Sequence, residues 1–359
     1  MKKIRIGLIG TGSICRGRHI PGYLGCPECE ITALCDINPT SLQKTIDKFG
    51  FENIPCFENY KDLLASGLVD AVDIATSNDA HVKIALDALD AGLPVSIEKP
   101  IGLNIEESLT LLKKSKQTGL PVFVCFSWRY NKFPRYMKYL IDNGEIGDIY
   151  HIYVKCIKDS GLWEGRRLEW RFDESKAGSG VLCDLGSHMF DAIRFFGQEI
   201  HSVYCDRGII VKKRQKLDSD EWADVTTDDW SNAVCSLESG IGATVTLSRT
   251  TIAEKDTIEF YVSGSSGALR FLYQGGNQNL YICKGDDLKE FKFVPVNIPD
   301  DFKSLNQSRS FVNILMGIPD EYASTIVDGI RSQAAVDGAK LSSQCHKAIV
   351  LDEILAEDN

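Results

Sequence analysis

Lys99, Asp184 and His188 are the side chains in this sequence whose types and surroundings suit proton and hydride chemistry on an alcohol. Lys99 stands in Glu98-Lys99-Pro100, at the end of an apolar run, 95–98, that reads as a buried strand. An ammonium in a dry pocket there can hydrogen-bond a substrate hydroxyl and stabilise the alkoxide that develops as hydride leaves the carbon. The plain alternative is a strand-end lysine reaching solvent. Asp184 and His188 lie four residues apart in Asp184-Leu185-Gly186-Ser187-His188, which places both on one face of the opening turn of a helix. An imidazole that titrates near neutrality can take the hydroxyl proton, and an aspartate one turn away can orient it. Two other readings stay open for this pair: a helix cap beside a buried structural histidine, or two metal ligands, although no further His or Cys nearby completes a metal set.

A second constellation points to the partner such chemistry needs. The first apolar run, Ile4–Ile9, leads into Gly10-Thr11-Gly12-Ser13-Ile14-Cys15, where the glycines permit a tight turn and close approach of the backbone to a pyrophosphate. Cys15 occupies the last place of the G-x-G-x-x-G pattern, so the loop alone is a weak signal. Asp36 follows Gly12 by 24 residues at the end of the second apolar run. A carboxylate there accepts hydrogen bonds from the adenosine ribose and repels a 2′-phosphate, which favours NAD over NADP; the competing reading is an exposed loop aspartate.

The elements that must position these residues follow from periodicity. Apolar runs at 4–9, 30–35, 70–75, 95–98 and 121–126 alternate with helical patterns at 39–49, 78–91 and 104–118, a βαβα rhythm that implies a parallel sheet. Pro39, Asp79, and Asn104 with Glu106 and Glu107 supply helix-start signals, and Gly92 and Gly119 supply stops. After residue 126 the rhythm changes. A helix over 132–143, a strand over 149–157, a Gly-rich polar stretch over 158–180 and a helix over 184–196 precede strands at 231–237, 242–248, 257–263 and 268–272 that are joined by turns. Strands without intervening helices imply a largely antiparallel sheet. Residues 212–229 read as a polar loop, and helices return at 308–316 and 327–355. Two domains result, 1–126 and 127–359, in keeping with the length of 359 residues.

The formal charge of −10 offers no electrostatic footing for nucleic acid or an anionic membrane surface. The apolar run near the start is broken by Gly7, Gly10 and Gly12, and no later run approaches the roughly 18 apolar residues of a membrane span, so a cytoplasmic protein is expected. The twelve cysteines sit mostly singly in apolar runs and read as reduced buried thiols; Cys26-x-x-Cys29 lacks a second pair at zinc spacing and reads as a loop with two incidental cysteines.

Taken together, these motifs resemble the Gfo/Idh/MocA oxidoreductases, a family that includes glucose-fructose oxidoreductase and inositol dehydrogenases. The resemblance spans nearly the whole chain and rests on Gly7-Leu8-Ile9-Gly10-Thr11-Gly12, Cys35-Asp36, Ala75-Thr76-Ser77-Asn78 with His81, Ala91-Gly92 leading to Glu98-Lys99-Pro100, 144–147 and 178–191. It implies a Rossmann domain followed by an α+β domain with a large, mostly antiparallel open sheet. It implies Lys99, Asp184 and His188 as the catalytic set, and NAD held by Gly10, Thr11, Gly12, Ser13, Ile14, Asp36, Thr76, Asn78, His81, Glu98 and Lys99. Trp170 and Arg171, in a segment similar to one in members acting on inositols and sugars, and Arg129 join as substrate-side candidates with Lys99, Asp184 and His188. No metal is implied. The expected activity is hydride transfer from a ring hydroxyl of a sugar, sugar derivative or cyclitol to NAD+, by a homo-oligomer, dimer or tetramer. The alternative is a regulatory protein that binds dinucleotide and sugar without turning them over.

Overall fold

The alternation in the first third of the chain resolves into a six-stranded parallel sheet. Its strands are β1 (Ile4–Ile9), β2 (Cys29–Cys35), β3 (Cys56–Phe57), β4 (Ala71–Ile74), β5 (Val95–Ile97) and β6 (Val122–Val124), in the order β3-β2-β1-β4-β5-β6. The computed structural model describes residues 2–253, 256–302 and 306–355. Strands β4, β5 and β6 are buried on both faces, which is why their sequences are apolar without alternation. Helices α1 (Ile20–Leu24), α2 (Pro39–Phe49), α3 (Tyr60–Ala65), α4 (Asn78–Asp90) and α5 (Ile105–Thr118) make the crossovers, α1 continuing a π-helical turn over Cys15–His19. Asn38 caps α2 by accepting from the Thr40 and Ser41 N–H groups, and Asn104 caps α5 by accepting from Glu107. Strand β3 and helix α3 are too short to leave a periodic trace in the sequence.

After α6 (Lys132–Asp142), strand β7 (Ile149–Ile157) begins a nine-stranded sheet. Helices α7 (Glu174–Ala177) and α8 (Ser187–Phe196) precede β8 (Ile200–Gly208), and the short β9 (Lys213–Gln215) and β10 (Trp222–Asp224) form a separate ribbon inside the expected polar loop. The large sheet continues with β11 (Trp230–Leu237), β12 (Gly242–Ser248), β13 (Thr257–Gly264), β14 (Gly267–Gln274), β15 (Asn277–Lys284) and β16 (Val294–Pro295), and ends with β17 (Ile349–Val350). The order is β16-β15-β14-β13-β7-β12-β11-β8-β17. Every pair is antiparallel except β7 with β12, so the sheet is mixed and mostly antiparallel. Strict alternation of buried and exposed residues in β11 shows one face covered. Phe190 and Phe196 of α8 are buried on that side, and the Phe196 ring packs tilted at 58° against Phe260 of β13, with centroids 5.3 Å apart.

Three expectations need correction. The chain divides into units Met1–Ser127 with Leu305–Ile330, and Trp128–Ser304 with Arg331–Asn359, so a late segment returns to the first unit. There α9 (Gln307–Leu315) puts Phe311 against Phe123 of β6, with ring centroids 5.9 Å apart, and Thr325 bridges Phe123 in an isolated antiparallel pair. The edge strand β6 is covered in this way, a need that local sequence does not announce. Second, the helix expected over 327–355 runs as α10 (Ile326–Cys345), breaks at His346 with φ of 54°, pairs β17 with β8 and resumes as α11 (Leu351–Leu355). Pairing of the β8 edge overrides helix continuity, although no Gly or Pro marks the break. Third, the helix expected over 184–196 opens with a π-helical turn, Leu182–Gly186, rather than a regular α turn.

Candidate active site

In the first unit, the residues singled out from sequence emerge side by side at the carboxyl ends of β2, β1, β4 and β5, the edge where open parallel sheets bind ligands. Gly10 has φ of +91° and a Cβ there would lie 2.5 Å from the Ala75 carbonyl oxygen, so only glycine lets β1 turn this close to the end of β4. A Cβ on Gly12 would meet nothing within 4 Å, and Ser13 and Ile14 are exposed, so this loop presents open backbone. Thr11 is buried; its N–H and hydroxyl both donate to Asp36 Oδ2 at 2.8 Å, while Asp36 Oδ1 accepts from the Asn38 N–H at 2.8 Å. Thr11 thus serves by orienting the Asp36 carboxylate.

Thr76 follows β4 and is half-exposed; Asn78, at the start of α4, is buried. His81 differs from the expectation that it lines the cofactor cleft. It is 1 % exposed, with Nδ1 2.8 Å from the Pro100 carbonyl and Nε2 3.3 Å from that of Thr76. Burial pushes its pKa down, so a neutral ring donates to Pro100 and braces the turn after β5 from behind. In that turn Glu98 is buried, Lys99 is half-exposed and the Lys99–Pro100 peptide is cis. Within residues 95–102 Lys99 alone keeps exposed surface.

Glu98 leads to a network that sequence reasoning missed. His19, at the end of the π-helical turn after the glycine loop, places Nε2 2.9 Å from Glu98 Oε1 and Nδ1 2.9 Å from both oxygens of Asp73 in β4. Tyr23 donates its hydroxyl to Asp73 Oδ2 at 2.5 Å. The available signal was Asp73 itself, a carboxylate inside an apolar strand that must be partnered to be tolerated. Among the described residues, His19, Glu98 and Cys125 also satisfy the spacing of a metal cluster. Their chemistry fits one poorly, because both imidazole nitrogens already face carboxylates and burial pushes the Cys125 thiol well up.

In the second unit the helix that carries Asp184 and His188 is held by a residue equally absent from the sequence reading. The Asp228 side chain accepts from the N–H groups of Gly180 (2.8 Å) and Leu182 (2.9 Å), from the Ser179 hydroxyl and from Arg207 Nη1 (3.1 Å). From 177 to 193 every residue is buried except Asp184 and His188. Lys158, directly after β7, places its ammonium 3.9 Å from Asp184 Oδ2, adding a cation to this surface.

Trp170 and Arg171 lie on one 3-10 turn, Trp170–Phe172, and both are half-exposed; the Arg171 guanidinium covers the Trp170 ring at 4.3 Å. Arg129 is a correction. It is 7 % exposed and grips Asp191 of α8 with two charge-assisted hydrogen bonds, Nε to Oδ2 at 2.8 Å and Nη2 to Oδ1 at 2.5 Å. Its side chain thus anchors α8 instead of offering an open face to a substrate.

Comparison with known proteins gives this geometry a context. Residues 4–126 match the oxidoreductase family model for an NAD-binding Rossmann fold, and residues 135–270 match the GFO/IDH/MocA C-terminal domain. The chain belongs to the GFO/IDH/MocA oxidoreductase family. Among curated relatives of this family member, glucose-6-phosphate 3-dehydrogenase of Bacillus subtilis is 28 % identical over 78 % of this chain and 77 % of its own. Levoglucosan dehydrogenase of Pseudarthrobacter phenanthrenivorans is 26 % identical over 76 % and 75 %. A solved structure of levoglucosan dehydrogenase in complex with NADH shares the fold, with a TM-score of 0.88 at 22 % identity, covering 98 % of this chain and 99 % of that one.

The GFO/IDH/MocA chain is thus an oxidoreductase that uses NAD, and its first unit fits that group: an open glycine loop after β1, and a carboxylate preset at the end of β2. Arg16 donates to the Thr11 carbonyl and, at 3.1 Å, to the Ser41 hydroxyl, so a cation waits near Asp36. Asp36→Ser is therefore expected to weaken NADH binding about tenfold and to strengthen NADPH binding, because repulsion of the 2′-phosphate disappears. Fluorescence titration of both reduced nucleotides checks it; an unchanged NADH to NADPH preference contradicts it.

Proposed function

We propose that this protein oxidises a ring hydroxyl of a sugar, sugar derivative or cyclitol, with His188 as the base, Asp184 orienting it and Lys99 stabilising charge on the oxygen. The observation that carries the reading is the shared setting of these three residues: each keeps exposed surface inside a run of otherwise buried chain. Polar side chains that keep some exposure on an otherwise buried stretch of backbone suit chemistry, because little reorganisation is needed when the substrate arrives. The names of the relatives support the substrate class, since they include dehydrogenases of glucose 6-phosphate, of levoglucosan and, in Thermotoga maritima, of myo-inositol.

NAD+ held at the glycine loop and Asp36 would supply the acceptor for the hydride of the carbinol carbon. His188 removes the hydroxyl proton, the O–H electron pair becomes the new C=O bond, and the proton leaves to solvent. Lys99 donates a hydrogen bond to the oxygen as its charge grows, and Asp184 holds the imidazole oriented, with Lys158 beside it. Trp170 and Arg171 offer an aromatic face and a guanidinium edge of the kind that grips a ring bearing hydroxyls.

A panel of myo-inositol, glucose, glucose 6-phosphate and levoglucosan, assayed for NADH formation, tests the proposal. Turnover of at least one is expected. Saturable NADH binding with no turnover of any polyol would favour a non-catalytic regulator and overturn the reading.

Two further elements belong to the proposal. A cytoplasmic location is supported by twelve free thiols, all but Cys56 and Cys345 buried, and no helix among the described residues is long and apolar enough to cross a membrane. Homo-oligomerisation is supported by the outer face of the large sheet, where Tyr204, Val234, Thr244, Tyr153 and Tyr261 lie in one register row and Tyr204, Val234 and Tyr153 are exposed. Sedimentation velocity should show a dimer or tetramer, and replacing Tyr153 and Val234 together by lysine should shift it toward monomer. A monomeric wild-type protein would contradict the assignment.

A further inference from the structure

Four buried polar residues of the first unit, His19, Tyr23, Asp73 and Gln307, have no part in the chemistry above, yet they meet behind the turn that carries Lys99. A carboxylate in the middle of a parallel sheet is costly unless partnered, and Asp73 has two partners, His19 and Tyr23. Contact with both Asp73 oxygens fixes one edge of the imidazole. The opposite edge faces Glu98 Oε1, and Glu98 Oε2 accepts the backbone N–H of Lys99 at 3.2 Å. Gln307 of α9 closes the pocket with its amide nitrogen 3.1 Å from His19 Nε2; a charged ring requires that amide turned over, which points its otherwise unpartnered Oε1 at the ring N–H. Ser308 donates to the His19 carbonyl at 3.3 Å.

We propose that His19 is a positioning residue for Lys99: by bridging Asp73 to Glu98 it locks the backbone from which the Lys99 side chain springs, and ties that turn to the dinucleotide loop. The tie follows from its place in the chain, as the last residue of the π-helical turn Cys15–His19 that leaves the glycine loop. The inference rests on the reading that Lys99 handles the substrate oxygen.

The electrostatics agree with the geometry. Burial drives the His19 pKa down, but the charge and hydrogen bond of Asp73, then those of Glu98, outweigh it and bring the value to about 10. The ring is therefore charged near neutrality and donates from both nitrogens. Tyr23 and Cys125, which also face it, are pushed upward by burial and stay neutral, and Gln307 carries no charge. A folded value above the ordinary 6.5 means that this stabilisation is full below 6.5 and is lost as pH rises toward about 10.

Asparagine places its amide nitrogen where Nδ1 lies, and glutamine where Nε2 lies, which separates the two halves of the bridge. With the panel alcohol that is turned over fastest, His19→Asn is expected to lower kcat about 10- to 100-fold, with KM and NADH affinity within about threefold, while His19→Gln stays near wild type. In a Lys99→Ala background His19→Asn should cost nothing more, since it acts through Lys99. Additive losses there, or full activity of His19→Asn beside an inactive Lys99→Ala, would overturn the positioning role alone. An undiminished Lys99→Ala would overturn the reading beneath it, and the positioning role with it. Should His19→Asn not fold, His19→Gln decides: a folded variant whose kcat falls as far as that of Lys99→Ala refutes the proposal. A readout independent of turnover is melting: between about pH 7 and 8.5 the wild type should lose stability relative to His19→Gln, and a constant difference would refute the charged bridge.

Discussion

Replacing His188 by alanine is expected to lower kcat by about 10²- to 10⁴-fold, the contribution of a positioned general base, with NADH affinity within about threefold of wild type. The expectation follows from where the residue sits. His188 is half-exposed in α8, whose other residues up to Ile193 are buried, so its truncation keeps the buried Phe190 and Phe196 of that helix in the sequence and the helix in place. Lys99→Ala should act in the same direction, and Lys99→Arg should not restore activity, because a planar fork does not place one donor where a compact ammonium does. Under the proposed mechanism, in which both groups serve one oxygen, the double variant should fall well short of the product of the single losses. Steady-state kinetics on the best panel alcohol, with circular dichroism to confirm folding, decide the matter. Full turnover in both single variants removes the mechanism.

The largest stability effect is expected at Asp228, a residue outside every motif read from the sequence. Its carboxylate is 2 % exposed and gathers four donors, two of them the N–H groups of Gly180 and Leu182 at the opening of the segment that bears Asp184. Alanine there leaves buried N–H groups and the Arg207 guanidinium without their acceptor, which costs about 3–5 kcal/mol. At roughly 2–4 °C per kcal/mol for a unit of this size, the melting temperature should fall by about 10 °C. Gly180→Ala should behave similarly, because a Cβ at Gly180 would lie 1.9 Å from the Asp228 carbonyl oxygen. Thermal melting followed by circular dichroism checks both; an Asp228→Ala protein melting within about 2 °C of wild type would contradict the capping role.

Much of the first unit was legible because its signals are local. Strand β1, the Gly10 turn, Asp36, the helix start at Pro39 and the cap at Asn104 each depend on a few consecutive residues, and the structure places them as their chemistry demands. The four-residue spacing of Asp184 and His188 was legible for the same reason, although Asp184 sits in a π-helical turn and His188 in the α-helix that follows it. Arg129 and His81 show the limit. Both are residue types that often meet ligands, yet Arg129 is spent on Asp191 and His81 on the Pro100 carbonyl, partners 62 and 19 positions away.

By itself the sequence determined most of the longer elements, the parallel and antiparallel halves, the dinucleotide loop and the three residues proposed for chemistry, because periodicity, turn residues and short motifs are written within a turn or two of chain. Tertiary structure alone decided that Asp73, His19 and Glu98 form one bridge, that Asp228 caps a segment nearly fifty residues before it, and that residues 306–330 return to cover β6. Those arrangements arise from buried charges seeking partners and sheet edges seeking cover. Both needs are met by whatever the fold brings near, at any distance along the chain.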